Sequence, residues 1–160
     1  MKGSLVKGLM AITILLMLPL SAKATGQTGD IIYIDGEKWS LLGKPLNYDD
    51  ELYTKLNEFL PTDREWSTAN WSGYTGCWEI VYGRLYLKEV IAYIYDDILK
   101  IHYEVTYDAN DLKELFAPYY TVHGISAEWY SNKAVTAGRG ECIRYIHDAY
   151  DRNYAEELVM

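Results

Sequence analysis

Histidine, cysteine and phenylalanine are scarce in this sequence, and their scarcity argues against several kinds of site. The chain of 160 residues has three histidines, two cysteines and two phenylalanines. No His-x-x-x-His or Cys-x-x-Cys spacing occurs, and no acidic residues alternate before a glycine as in a calcium loop. The sequence therefore predicts no metal site and no cofactor.

The motifs of nucleophilic catalysis are also missing. A Gly-x-Ser-x-Gly elbow does not occur, and Cys142 precedes His147 by five positions, which puts them on opposite faces of a regular strand. The 23 acidic residues would supply a carboxylate pair in any fold, so such a pair is uninformative. We predict no catalytic residue, and a small hydrolase is the weakest functional alternative.

No apolar run in the sequence reaches the length of about 20 residues that spans a bilayer. The longest, Gly8–Leu20, follows two lysines and precedes the small residues of Ser21–Ala24. This pattern is typical of a secretory signal peptide, with an uncleaved anchor as the alternative. We predict a signal peptide over residues 1–24 with cleavage after Ala24, and a periplasmic or secreted single domain over residues 25–160.

Positive charge is sparse in the predicted mature chain. Three of the 15 basic residues lie within the first 24 positions, so 12 remain against 23 acidic ones, for a net charge of −11. Nucleic acid and anionic membranes both select basic surfaces, so neither is a predicted partner. We also predict no membrane insertion after signal removal. A basic protein partner fits this charge, and so does simple solubility.

Aromatic residues other than phenylalanine are plentiful, with 16 tyrosines and five tryptophans. Three tryptophans fall within the stretch Trp66–Trp78, and we predict a binding site there comprising Trp66, Asn70, Trp71 and Tyr74. Such rings stack on sugars or anchor protein interfaces, while an amide hydrogen-bonds hydroxyl groups. The alternative is that these rings fill the core at one end of a sheet.

The two cysteines, Cys77 and Cys142, form an even count in a chain predicted to reach an oxidising compartment. A disulfide between them is one interpretation. It would stabilise the fold by roughly 4 kcal/mol through the loop that it closes. Two separate thiols are the alternative, because sequence does not give the distance between them.

Two helices are predicted. The first runs over Asn47–Leu60, with Asn47 as its cap and apolar residues at helical spacing on one face: Leu52, Leu56, Phe59 and Leu60. Pro61 ends it. The second is short, lies near 110–117 and carries Leu112, Leu115 and Phe116.

Alternating apolar residues predict several strands. A hairpin joins Ile31–Ile34 to Lys38–Leu42. Three strands between Cys77 and Tyr107, the last of them over Ile98–Tyr107, form an antiparallel meander with a bulge near Glu89. Further strands are predicted near 125–129 and 141–147. The stretch 153–160 is interpreted as an edge strand, with a fragment of a longer element as the alternative. The fold class is α+β, a mainly antiparallel sheet with one helix packed on it; a partly closed β-barrel plugged by that helix is the alternative.

Four segments resemble a group of small secreted proteins from gut Bacteroidetes: Asp35–Trp39, Phe59–Pro61, Ser67–Thr75 and Leu85–Leu87. The resemblance covers most of the predicted mature chain. It implies a location in the envelope or outside a Gram-negative cell, and it brings no catalytic residues with it. Similar proteins continue past the last residue of this chain, so the resemblance also implies a shortened form.

The sequence thus predicts a secreted or periplasmic, non-catalytic interaction protein with an acidic, aromatic-rich surface. Its partner would be another protein, and an inhibitor or immunity-type role belongs to this class. The alternative is a glycan-binding module that uses Trp66–Tyr74.

Overall fold

The computed structural model describes residues 28–145 and 152–160, and the nine strands among them belong to one sheet. The predicted signal peptide, residues 1–24, lies outside the described residues. The fold is α+β and mainly antiparallel, as the sequence predicts. Among the described residues, no helix is long and apolar enough to span a membrane.

In the part of the chain that the structure describes, one α-helix, α1 (Asp50–Phe59), accompanies the sheet, and 3-10 turns cover Pro45–Tyr48, Ala117–Tyr119 and Glu128–Tyr130. The nine strands are β1 (Asp30–Ile34), β2 (Glu37–Leu41), β3 (Tyr74–Val81), β4 (Arg84–Asp96), β5 (Ile101–Asp108), β6 (Tyr120–Thr121), β7 (Gly124–Ser126), β8 (Thr136–Tyr145) and β9 (Arg152–Val159).

The strand order is β6-β7-β4-β3-β1-β2-β8-β9, with β5 also paired to β4. The pairing of β1 with β3 is parallel, and the other pairings are antiparallel. Both β3 and β7 pair with Tyr86 and Leu87, so they flank β4 on opposite sides, and β5 shares the side of β7. Strands β3, β4 and β5 form the predicted meander.

The predicted bulge near Glu89 is confirmed. Cys77 pairs with Glu89 while Trp78 pairs with Leu87, so Lys88 is the additional residue on β4. The bulge shifts the alternation of β4 by one residue. Leu87 before it and Val90 after it, three positions apart, therefore face the same side and are both fully buried.

Helix α1 begins three residues later than predicted. Asp49, rather than Asn47, is the cap, and its Oδ1 accepts a hydrogen bond from the N–H of Leu52 at 2.9 Å. Asn47 lies in the preceding 3-10 turn, where its Oδ1 accepts from the Tyr74 hydroxyl at 3.1 Å. The helix buries Leu52 and Leu56 against the sheet, as their spacing predicts.

The second predicted helix is replaced by hydrogen-bonded turns over 109–116, followed by the 3-10 turn Ala117–Tyr119. Asp108 Oδ1 accepts from the N–H groups of Asn110 and Asp111 at 2.7 and 3.0 Å, as a helix cap does, but the residues that follow continue as turns. Leu112 and Phe116 are nevertheless fully buried, so the predicted apolar side of this segment is correct.

Several strand bounds also differ from those predicted. Strand β5 begins at Ile101, since 97–100 forms a turn in which Lys100 has φ 55°. Strand β7 is shorter than predicted, and β8 begins earlier. The predicted edge strand at the end of the chain is confirmed as β9, which pairs with β8.

The core lies between α1 with its neighbouring turns and one face of the sheet. Trp78 at its centre is fully buried, and Trp129 contacts it edge-on with ring centroids 6.5 Å apart. Further fully buried members are Ile32, Leu46, Leu56, Leu87 and Ile125. The start of β3 therefore belongs to the core, while the segment before it runs along the surface.

Candidate functional site

The segment Trp66–Trp71, here called the aromatic turn, closes on itself through its backbone. The N–H groups of Ser67 and Asn70 donate to each other's carbonyls at 3.3 and 3.0 Å. The Ser67 hydroxyl oxygen also accepts from the N–H groups of Ala69 and Asn70, at 3.2 and 3.0 Å. Trp66 and Trp71 directly flank this bridge, one on each side.

Burial divides the four predicted binding residues into two pairs. Trp66 and Trp71 are 61% and 59% exposed, whereas Asn70 is 9% exposed and Tyr74 is fully buried. The core interpretation therefore fits the second pair, while the binding role of the first pair, which lies at the surface, stays a prediction. Asn70 and Tyr74 are not available to a ligand at the surface.

Lys44 lies on the buried side of the aromatic turn and hydrogen-bonds to Asn70 and to the residues that follow the turn. Its Nζ donates to Asn70 Oδ1 at 3.1 Å, to the Tyr74 carbonyl at 3.0 Å and to the Ser72 hydroxyl. The Lys44 side chain is 2% exposed. A buried ammonium that donates to three acceptors on one loop fixes the conformation of that loop.

Asp30 faces Lys44 from β1, with 3.9 Å between Oδ1 and Nζ. Its carboxylate also accepts from the Gly76 N–H at 3.1 Å and from the Trp78 indole N–H at 2.8 Å. Burial raises the pKa of Asp30, and the charge of Lys44 opposes that effect. Burial likewise lowers the pKa of Lys44 against the effect of Asp30. This buried network connects β1, β3 and the aromatic turn.

Arg64 lies at the other end of the aromatic turn, two positions before Trp66. It is 6% exposed, and its guanidinium donates to the Pro61 carbonyl at 2.8 Å and to Asn57 Oδ1 at 2.7 Å. The same guanidinium lies 5.9 Å from the centre of the Trp66 ring. Gly73 passes so close that a Cβ there would come within 3.0 Å of the Arg64 Cβ. The aromatic turn is therefore supported from both sides.

Sequence reasoning missed Asp30, Lys44 and Arg64. A signal existed for Asp30, which has the same strand parity as Ile32 and so faces the core. Lys44 and Arg64 lie in irregular segments, where no period indicates which way a side chain points.

The two cysteines are separate thiols in the structure. Cys77 is buried on β3 and Cys142 is exposed on β8, and β1 and β2 lie between these strands. Three strand spacings amount to roughly 14 Å, whereas a disulfide brings its two Cα atoms within about 7 Å. The predicted disulfide is therefore not part of this fold.

Burial raises the pKa of the Cys77 thiol to about 12, with Glu89 adding to the effect. Cys77 is thus protonated at neutral pH and unreactive.

We expect native protein to react with one equivalent of a thiol reagent such as DTNB, at Cys142, and urea-unfolded protein to react with two. The variant Cys142→Ser serves as the control and should show no rapid reaction. If the wild-type protein reacts with none under both conditions, a disulfide joins the two residues.

A cleft of about 1010 Å³ opens beside the turn of the β3–β4 hairpin. It is lined in part by Ile80, Arg84, Glu128, Tyr130 and Lys133. Its described lining contains neither cysteine nor histidine. Arg84 and Glu128 approach each other to 4.0 Å and offset each other's charge. No group of three potential metal ligands is found in the part of the chain that the structure describes.

The chain matches no protein-family model, no curated protein and no solved structure. Its resemblance to secreted Bacteroidetes proteins stays a prediction. A function must therefore be inferred from the geometry of the residues themselves.

Proposed function

We propose that this chain is a secreted or periplasmic, non-catalytic interaction protein that binds another protein through the aromatic turn. One observation carries the proposal: Trp66 and Trp71 are each about 60% exposed, at the two ends of a turn that Lys44 bonds through Asn70 and whose Trp66 ring lies beside Arg64. The signal-peptide pattern of residues 1–24 supports the location.

Packing in the core does not explain the position of two tryptophans that are each about 60% exposed. Their apolar surface stays in contact with water, which is unfavourable by roughly 25 cal/mol for each Å² left exposed. At protein interfaces, by contrast, tryptophan is among the residues that contribute most to affinity. A ring that is already held in place also loses little entropy on binding. The buried network beneath the turn supplies that support.

A basic partner is favoured by the charge around the turn. Asp63 is exposed and Glu65 partly so; they lie three positions and one position before Trp66, on either side of the buried Arg64. The net charge of −11 for residues 25–160 has the same sign. Charge of one sign accelerates encounter with a partner of the opposite sign and makes binding sensitive to salt.

The glycan alternative is weaker than the protein one. The amide that would hydrogen-bond sugar hydroxyls belongs to Asn70, which is buried and accepts from Lys44. Tyr74 faces the core. Two rings remain, and a sugar site also requires polar groups beside the stacking face.

The combined variant Trp66→Ala, Trp71→Ala tests the proposal. Immobilised wild-type protein should capture a discrete partner from envelope extract, and this variant should lose it. Tyr82→Ala is the matched control, because Tyr82 is 91% exposed but lies in the β3–β4 turn. The captured partner should dissociate as salt is raised from about 50 to 500 mM.

Capture that is equal for the wild type and for the tryptophan variant would refute the proposal. A glycan array would identify the alternative function: binding there that depends on Trp66 and Trp71 would assign the turn to sugars. Unchanged thermal unfolding of both variants is required for either conclusion.

A further inference from the structure

Strand β5 forms an edge of the sheet. Within the described residues it pairs with β4 and with no further strand, although eight consecutive residue pairs join it to β4. One side of its backbone therefore presents N–H and C=O groups outward. Such an edge is a template for the addition of another strand.

Natural edge strands are usually protected, but β5 has few of the usual devices. Its sequence, IHYEVTYD, contains no lysine and no proline, and its register with β4 has no bulge. Lysine, proline and bulges are the features that normally prevent an edge from pairing. The length and regularity of β5 thus leave its outer side suitable for pairing.

The face of β5 that continues the core is incompletely covered. Ile101 and Tyr103 are 47% and 44% exposed, while Val105 and Tyr107 are half-buried. Helix α1 reaches only as far as Tyr107, whose ring lies 5.3 Å from that of Phe59. An apolar strip therefore continues past the helix along the edge strand.

The acidic residues around β5 favour a basic binding partner over a second copy of this chain. Glu104 and Asp108 lie on the strand and Asp96 and Asp97 precede it, whereas Lys100 is the one lysine or arginine between 96 and 108. A second copy of residues 25–160 would carry the same net charge of −11 and present the same acidic edge. A basic segment would be attracted instead.

We infer that β5 binds an extended, basic segment of a partner protein by strand addition. The segment would pair with the outer side of β5 and place apolar side chains over Ile101 and Tyr103, with basic ones beside Glu104. The inference rests on the proposed function and names the mode of binding. The two surfaces adjoin, because His102 Nδ1 on β5 lies 2.8 Å from Oε2 of Glu65, the residue before Trp66.

The test uses a capped octapeptide of alternating valine and lysine as the probe. We expect salt-sensitive binding that slows amide hydrogen exchange at alternate residues of β5. A valine–glutamate peptide of equal length should not bind. A valine–lysine peptide N-methylated at every residue should also fail, because it has no N–H group left to donate to the edge of β5.

Tyr103→Lys is the informative variant, since it places a positive charge on the apolar strip. It should weaken probe binding at least about ten-fold, because an inward-pointing lysine blocks an edge and repels a basic peptide. Val122→Lys is the matched control, because Val122 is 96% exposed in another turn and the change in net charge is the same. Equal loss in both variants would overturn the inference, as would equal binding in both.

The inference and the proposed function can fail separately. If Tyr103→Lys retains the envelope partner that the tryptophan variant loses, strand addition is refuted and the aromatic turn stands. Protection from exchange at a strand other than β5 would also refute it. So would a concentration-dependent dimer whose exchange protection lies on β5 without peptide, because the occupant would then be a second copy.

Discussion

Lys44→Met is expected to lower the free energy of unfolding by about 3–5 kcal/mol, the usual cost of breaking a buried ion pair from one side. Methionine preserves most of the length and apolar volume of the side chain but removes the ammonium. The acceptors on Asn70 and Ser72 and the Tyr74 carbonyl would then lose a shared donor. Asp30 would lose the cation that faces it.

Urea unfolding followed by tryptophan fluorescence measures this change. Lys55→Met is the matched control, because Lys55 is exposed and pairs with Glu51 on the surface of α1. It should leave the unfolding midpoint nearly unchanged. If Lys44→Met unfolds at the same urea concentration as Lys55→Met, Lys44 does not hold the aromatic turn.

A double-mutant cycle separates the ion pair from the rest of the network. Asp30→Asn combined with Lys44→Met should cost less than the sum of the two single changes, since neither buried charge is then left alone. Strict additivity would mean that Asp30 and Lys44 act independently, through their hydrogen bonds to Trp78 and to Asn70 respectively.

Tyr74→Ala is expected to lower the free energy of unfolding by about 3–5 kcal/mol, as large-to-small changes of buried aromatic residues do. Trp71→Ala, three residues earlier, should change it by less than about 1 kcal/mol, because most of the Trp71 side chain is exposed. Tyr74→Phe should fall between them at about 1 kcal/mol, since it loses the hydrogen bond to Asn47 but keeps the ring.

The unfolding free energies of these three variants show which of Trp71 and Tyr74 belongs to the core. Urea denaturation of each, at equal protein concentration, gives the comparison. If Trp71→Ala costs as much as Tyr74→Ala, the Trp71 ring is part of the core and the aromatic turn is not a binding surface.

The sheet could be predicted from the sequence because alternation reports which side chains share a face. The parity change between Leu87 and Val90 even located the bulge, as the burial of both residues confirms. Helix α1 was predicted from the spacing of Leu52 and Leu56, but its start was not. Asn47 and Asp49 are both good caps, and the choice depends on Tyr74, whose hydroxyl bonds Asn47 from 27 positions away.

The candidate site was located by composition, and its geometry required the structure. The cluster of tryptophans identified the stretch, but a turn has no period to separate Trp71, at the surface, from Tyr74, in the core. The residues that hold the turn are remote in sequence, because Lys44 lies 26 positions before Asn70 and Asp30 lies 48 before Trp78. Such pairings are set by the fold as a whole.

The parallel pairing of β1 with β3 has a consequence for how the chain can be cut, fused or labelled. In the strand order, β1 lies between β3 on one side and β2 on the other. Without Asp30–Ile34 the described sheet would separate into two pieces, one ending at β3 and the other at β2. A label attached close to Asp30 would therefore strain the middle of the sheet, whereas one in the exposed turn at Tyr82 would not.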